Sequence, residues 1–192
     1  MIPLDKDPDA PEGPVVAAVL AGEHDRFGVI VRRYERTIFR LALTYLGNRE
    51  EAADASQEIF LKAFRSLGSY QTGRPFLPWL YSIALNTLRT RRGRASRRAK
   101  SEITPPDFEE TFADPADADP LDQAIRGEQA RLVRDGVSRL PQRLRAPVVL
   151  YYFEGLSVEE TGEVLGLAVS NVKSRLFRAR RRLAGIFTGR LG

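Results

Sequence analysis

The sequence predicts an all-α protein in which two small helical domains are joined by a flexible acidic linker. Three observations predict it. Apolar residues recur at spacings of three and four, the period of a helix with one buried face. No stretch alternates apolar and polar residues in the way a half-buried strand does. Finally, seven of the twelve residues from Arg89 to Lys100 are Arg or Lys, whereas Ser101 to Ile125 has neither type but eight acidic residues and four prolines. Such an acidic, Pro-rich stretch buries too little apolar surface to offset its ordering entropy, so it marks a boundary. The predicted division is a disordered segment 1–12, a helical domain over 13–100, a linker over 101–120 and a second helical domain over 121–192.

In the first domain two helices fill Gly13 to Leu46, with Val15, Val19, Phe27, Ile30, Tyr34, Ile38, Leu41 and Tyr45 among their apolar positions. "LGNRE" stops the second of these at Gly47 and offers Asn48 as the cap of the next. That helix runs from Arg49 to about Leu67, with Ala52, Ala55, Ile59, Phe60 and Ala63 on one face. "GSYQTGRP" (Gly68 to Pro75) is a loop, because its glycines and proline break helices. "FLPWLYSIALNTLRTRR" resumes the period with Trp79, Leu80, Ile83, Ala84 and Leu88, tolerates Pro78 in its first turn and ends in a basic tail. At i, i+4 from Ile83, Trp79 reads as a core residue rather than a stacking platform. The second domain reads as four helices separated by Pro141, Gly155 and Gly166.

Composition excludes several function classes. The chain has 192 residues, 43% of them hydrophobic, which is enough for a core, and a net charge of +5 that suits a polyanionic partner. With no cysteine, disulfides, thiolate zinc sites and cysteine nucleophiles are excluded together. The single histidine, His24, reads as a surface residue between helices. No metal-ligand cluster or phosphate-cradling glycine loop is recognisable, so neither a cofactor nor catalysis is predicted. The N-terminus lacks the pattern of a signal peptide, and no run approaches the ~18 apolar residues of a spanning helix. Both point to a cytoplasmic chain without membrane insertion.

Near the C-terminus, "SNVKSRLFRARRRL" (Ser170 to Leu183) carries six basic side chains. On a helical wheel Val172, Leu176, Ala179 and Leu183 form a narrow packing stripe, and the basic residues lie around the remainder. Ahead of it, Ser157 and Glu160 make a capping box that opens a short helix ending at Gly166. A short helix, a tight turn and a longer helix capped near Ser170 follow the plan of a helix-turn-helix, whose second helix enters the major groove. A merely solvated face and a membrane-surface helix are the competing readings, the latter weakened because the apolar stripe is needed for packing.

These residues also carry a resemblance. "LPQRLRAPVVLYYFEGLSVEETGEVLGLAVSNVKSRLFRARRRL" resembles region 4 of the extracytoplasmic-function group of bacterial RNA polymerase sigma factors, and residues 27–94 resemble region 2 of the same group. The resemblance implies a sigma factor that binds core RNA polymerase, recognises promoter DNA and helps to open it. It implies contacts to the beta-prime clamp helices and the beta flap, and control by an anti-sigma factor. By position, Asp54, Gln57, Glu58 and Lys62 would bind core polymerase. Tyr70, Gln71, Thr72, Arg74, Asn86, Arg89, Arg91 and Arg92, with Arg94 beyond them, would bind the minus-ten element, where a loop with stacking surface suits a flipped base. Ser170, Asn171, Lys173, Ser174, Phe177 and Arg178 would read the minus-thirty-five element. Thr161, Gly162, Tyr151, Thr90 and Gly93 depart from the family pattern, and the first two predict a less stable first helix in the motif. A stand-alone helix-turn-helix regulator and a protein-interaction adaptor are the alternatives.

Overall fold

The computed structural model describes residues 12–99 and 132–188, and every regular element among them is helical. The first group comprises α1 (Glu12–Leu20), a 3-10 turn at His24–Arg26, α2 (Phe27–Leu46), α3 (Arg49–Arg65), a 3-10 turn at Leu67–Ser69 and α4 (Phe76–Ala99). The second comprises α5 (132–138), α6 (Gln142–Val148), a π turn over Val149–Phe153, α7 (Val158–Leu165) and α8 (Val169–Thr188). The predicted linker at 101–120 lies outside the described residues, as does nearly all of the segment 1–12; α1 begins at Glu12, one residue before its predicted start. α3 ends at Arg65 rather than near Leu67, because the chain tightens into the 3-10 turn there.

Local chemistry sets the corners. α2 ends at Gly47, whose N–H donates to the Leu43 carbonyl at 2.8 Å. The Asn48 side chain then accepts from the Glu51 N–H at 2.9 Å, so one of the first donors of α3 is satisfied, as the sequence predicted. The turn lays α3 on α2, and α4 packs across both. Ile38, Leu41, Tyr45, Ala55, Ile59, Ala63, Leu80, Ala84 and Leu88 are all buried between them. α1 is tied to α2 by Glu12, which accepts from Arg33 Nη1 at 2.9 Å and from the Tyr34 hydroxyl. His24 is exposed in the 3-10 turn, its ring centre 5.5 Å from that of Phe64 in an edge-to-face arrangement.

In the second group α8 packs on α6 and α7, burying Val137, Leu140, Leu144, Val148, Leu150, Val172, Leu176 and Ala179. Arg145 is only 1% exposed. Its guanidinium donates from Nε to the Val137 carbonyl (3.1 Å) and from Nη2 to the Leu140 carbonyl (2.7 Å) and the Ser138 carbonyl. This ties the end of α5 to α6. Burial, aided by nearby Arg92, holds its pKa down at about 10.

The two groups meet directly. Arg145 Nη1 donates to the Tyr45 carbonyl at the end of α2 (3.1 Å), and its guanidinium lies 5.1 Å from the centre of the Tyr45 ring. Arg92 of α4 donates to the Ser138 carbonyl at 2.7 Å. The Tyr81 hydroxyl of α4 donates to Glu154 Oε2 at 2.7 Å, with Arg40 of α2 3.9 Å from the same oxygen. The Glu154 side chain is 1% exposed, and burial pushes its carboxyl above the usual carboxylate range.

Candidate nucleic-acid interface and docking faces

The second group ends in a capped helix, a turn and a long helix. Ser157 accepts from the Glu160 N–H at 3.0 Å while the Glu160 carboxylate accepts from the Ser157 N–H at 2.8 Å, the reciprocal capping box that the sequence predicts. The backbone N–H and side chain of Ser157 hold the Glu160 carboxyl below its usual range. Gly166 ends α7 with φ of 64°, a left-handed conformation that favours glycine. Gly162 is required for a second reason: a Cβ there would stand 2.7 Å from the Leu167 carbonyl oxygen, where the turn folds back. Sequence reasoning saw only its helix-weakening entropy. Neighbouring Thr161 is buried, and its hydroxyl has no hydrogen-bond partner.

α8 starts at Val169, with the Asn171 and Val172 N–H groups donating to the Ala168 carbonyl. Ser170 therefore lies inside the first turn rather than at the cap, because the tight turn brings the chain into helix two residues sooner. Val172, Leu176 and Ala179 are buried and Leu183 is partly so, on the predicted stripe. Ser170, Asn171, Lys173, Ser174, Phe177 and Arg178 are all exposed, and the structure brings them together along the N-terminal half of the helix. Phe177 is 54% exposed, an apolar ring set among polar and basic neighbours. Arg180, Arg181 and Arg182 continue the exposed basic surface.

On α3, Asp54 and Gln57 are exposed, and Glu58 and Lys62 are partly so. Glu58 bridges Lys62 Nζ (2.7 Å) and Arg91 Nε of α4 (2.5 Å). The hydrogen bond from Lys62, and that from Arg91, hold its carboxyl below the usual range. Arg91 also donates to the Asp54 carbonyl at 3.3 Å, so the structure gives this predicted phosphate ligand protein partners. Leu61, which sequence reasoning missed, is 56% exposed on the same face. Its signal was available: it lies i+4 from Gln57, off the buried stripe of Ala55, Ile59 and Ala63.

Tyr70 opens the loop before α4. Its ring packs at 5.1 Å on Phe76 and 5.6 Å on Trp79, and its hydroxyl donates to the Arg74 carbonyl at 2.5 Å. Trp79 is partly buried in this aromatic cluster. Gln71, Thr72 and Arg74 are exposed, as is Asn86. Asn86 stands ten residues into α4, roughly 15 Å along its axis at 1.5 Å per residue, so the structure separates it from the loop. Arg89 is partly exposed; Arg92 reaches the Ser138 carbonyl, as described. The Arg94 side chain lies outside the described residues.

Residues 30–98 match the family described as Sigma-70 region 2, and residues 130–183 match Sigma-70, region 4. The chain is 35% identical over 170 residues to the RNA polymerase sigma-H factor of Pseudomonas aeruginosa, covering 86% of this chain and 88% of that one. It is 32% identical over 174 residues to the ECF RNA polymerase sigma factor SigW of Bacillus subtilis, covering 88% and 92%. The chain is a sigma factor of the extracytoplasmic-function group. As a sigma factor it associates with RNA polymerase and directs it to promoter DNA in transcription initiation. Solved sigma-factor structures share the fold. CnrH in complex with the cytosolic domain of CnrY superposes with a TM-score of 0.64 at 26% identity, covering 95% of this chain and 99% of that one. The sigma factor RpoE in complex with the anti-sigma factor NepR from Bartonella quintana gives 0.65 at 22% identity, covering 84% and 96%. Among the described residues of this sigma factor, no helix is long and apolar enough to cross a membrane. Nor does any group of three or more His, Cys, Asp or Glu among them stand where it could hold a metal.

Proposed function

We propose that this sigma factor works in the cytoplasm as a two-element promoter reader without catalysis or cofactor of its own. Its region 2 domain spans 13–100 and its region 4 domain 121–192, joined by the linker at 101–120. The observation that carries this reading is the exposed face of α8, set behind a capped helix in a chain whose other half carries the outer face of α3. Ser170, Asn171, Lys173, Ser174, Phe177 and Arg178 contact the minus-thirty-five element, with Phe177 suited to a thymine methyl and Arg178 to a guanine edge. Tyr70, Gln71, Thr72 and Arg74 hold a flipped minus-ten base. Asn86 and Arg89 contact the strand beside it, and Arg91 and Arg92 join them once their protein contacts are exchanged for phosphates. Asp54, Gln57, Glu58, Lys62 and the apolar Leu61 dock on the beta-prime clamp helices, and region 4 meets the beta flap. An anti-sigma factor restrains the free chain, a reading supported by the partner-bound forms of its solved relatives.

Run-off transcription with core polymerase and the promoter upstream of its own gene tests the whole reading. A discrete transcript that depends on the added chain is expected. Tight binding of a palindromic duplex by the chain alone, with no capture by core enzyme, would establish a stand-alone regulator instead. Replacing Gln57 and Glu58 together by Ala is expected to weaken polymerase capture about tenfold, roughly the 1.4 kcal/mol lost with a pair of interface contacts, while helicity is retained. Pull-down with tagged core enzyme measures this. Arg178→Ala is expected to cost about 1–3 kcal/mol at the minus-thirty-five element and to relax selectivity at one base pair. Holoenzyme binding to a panel of single-base promoter variants reads that out.

A further inference from the structure

We propose that Glu12 of α1 and Tyr34 of α2 are positioning residues for base capture: without touching DNA themselves, they hold the loop from Tyr70 to Arg74 in the shape that receives a flipped minus-ten base. The proposal rests on the base-capture reading above.

A column of side chains runs from α1 to the loop. Glu12, in the first turn of α1, accepts from the Tyr34 hydroxyl and from Arg33 Nη1 at 2.9 Å. The Tyr34 ring stacks on Phe76, the first residue of α4, with centres 5.6 Å apart and planes tilted by 21°. Phe76 is 2% exposed and meets the Tyr70 ring edge to face at 5.1 Å. The Tyr70 hydroxyl then reaches across the loop to the Arg74 carbonyl at 2.5 Å. Each link is directional, so a shift at Glu12 is passed on to the loop. Val16 and Val19 follow Glu12 at i+4 and i+7 and are buried, so the packing of α1 aims that carboxylate at α2. α1 also packs on the 3-10 turn leading into the loop, and a Cβ at Gly13 would lie 3.5 Å from Cγ2 of Thr72, ordinary contact distance. The Glu12 charge is felt as far as Tyr70, where burial and that carboxylate push the hydroxyl above its usual range.

The loop needs such support. Gln71, Thr72, Gly73 and Arg74 are all exposed, and Gly73 stands in the left-handed region with φ of 97°. Its own backbone contributes the turn bond from the Arg74 N–H to the Gln71 carbonyl at 3.1 Å. A flipped base gains most when stacking surface and donors stand ready, because ordering them on binding costs affinity. Stability alone does not call for the arrangement, since apolar side chains at positions 12 and 34 could pack without the desolvation cost of a partly buried carboxylate. What the pair supplies is a fixed height and tilt for Phe76, and through it for Tyr70. The docking face of α3 and the reading face of α8 contain no member of the column, so its loss is confined to the minus-ten element.

Holoenzyme assembled from the full chain and core polymerase provides the test. The probes are labelled single-stranded oligonucleotides carrying the non-template minus-ten strand from upstream of the chain's own gene, with each position occupied in turn by each base. Tyr34→Phe keeps the stacked ring and removes the donor; Glu12→Ala removes the acceptor. Both are expected to lower the base preference about 5- to 10-fold, because the loop must then be ordered by the base itself. Capture by core polymerase and binding of a minus-thirty-five duplex should stay within about twofold, as expected for distant sites. Glu12→Gln keeps an acceptor oxygen for both donors and is expected to restore most of the preference, which a general loss of stability would not explain. Parental preference in Tyr34→Phe or in a folded Glu12→Ala would overturn the proposal. So would a Glu12→Gln no better than Glu12→Ala, or equal losses in all three binding assays, the mark of a fold defect. If Glu12→Ala loses helicity, Tyr34→Phe decides alone. An unmutated holoenzyme with no base preference would sink the base-capture reading itself; a failed column shows instead as a preference that is present and survives the substitutions.

Discussion

Replacing Arg145 by Met is expected to destabilise the chain by about 3–5 kcal/mol, the largest effect of any single substitution on the polar network. Met nearly preserves volume, so the loss isolates hydrogen bonding from packing. Four carbonyls, those of Tyr45, Val137, Ser138 and Leu140, receive the guanidinium. Each buried acceptor left without a donor costs roughly 1–3 kcal/mol, and partial relaxation keeps the sum below four times that. Arg92 still reaches the Ser138 carbonyl and the Leu140 N–H still donates to the Val137 carbonyl at 3.0 Å, which softens two of the four losses. Lys is expected to recover little, because one ammonium cannot present the planar fork that serves carbonyls in diverging directions. Urea unfolding followed by circular dichroism provides the measurement; a midpoint unchanged in Arg145→Met would mean that water takes over all four carbonyls.

Leu176 and Phe177 are adjacent in sequence and are expected to fail in opposite ways. Leu176 is 5% exposed beneath α8, and its truncation to Ala should cost about 2–4 kcal/mol of stability through lost burial and the cavity left behind. Phe177 projects outward, so Phe177→Ala should leave the melting curve within about 0.5 kcal/mol while weakening minus-thirty-five binding by roughly 1–2 kcal/mol. Thermal melting of the free chain and holoenzyme binding to a labelled promoter duplex separate the two. If Phe177→Ala bound promoter normally, the ring would not be a reading residue; if Leu176→Ala melted normally, the packing of α8 would be misassigned.

Most of the helical fold was legible, since its causes are local. Asn48 caps α3 and Ser157 and Glu160 cap each other, each within three residues of its partner, and the buried stripe of Val172, Leu176 and Ala179 follows the helical period of α8 itself. Arg145 was not legible. In "PQRLRAPVV" it reads as one more basic residue, and its burial rests on carbonyls at the end of α5 and on one 100 positions away, none of which the local pattern announces. Glu154 and Tyr81, 73 positions apart, were hidden for the same reason. The arginines after Asn86 show the reverse case: their charge was evident, but Arg91 is taken by Glu58 and Arg92 by Ser138. Periodicity reports which side of a helix is buried and says nothing about which distant group waits there. Leu61 was an oversight of another kind, because its displacement from the apolar stripe of α3 was on view.

The partners of Arg145 also bear on ionic strength. The hydrogen bonds it makes run to carbonyl dipoles and it lies against an aromatic ring, none of which titrates near neutrality or exchanges for mobile ions. Contacts to DNA phosphates behave differently, since each neutralised phosphate releases counterions and affinity falls steeply as salt is added. Rising salt should therefore strip this sigma factor from promoter DNA while leaving the α5–α6 corner intact, so that a salt elution releases folded protein.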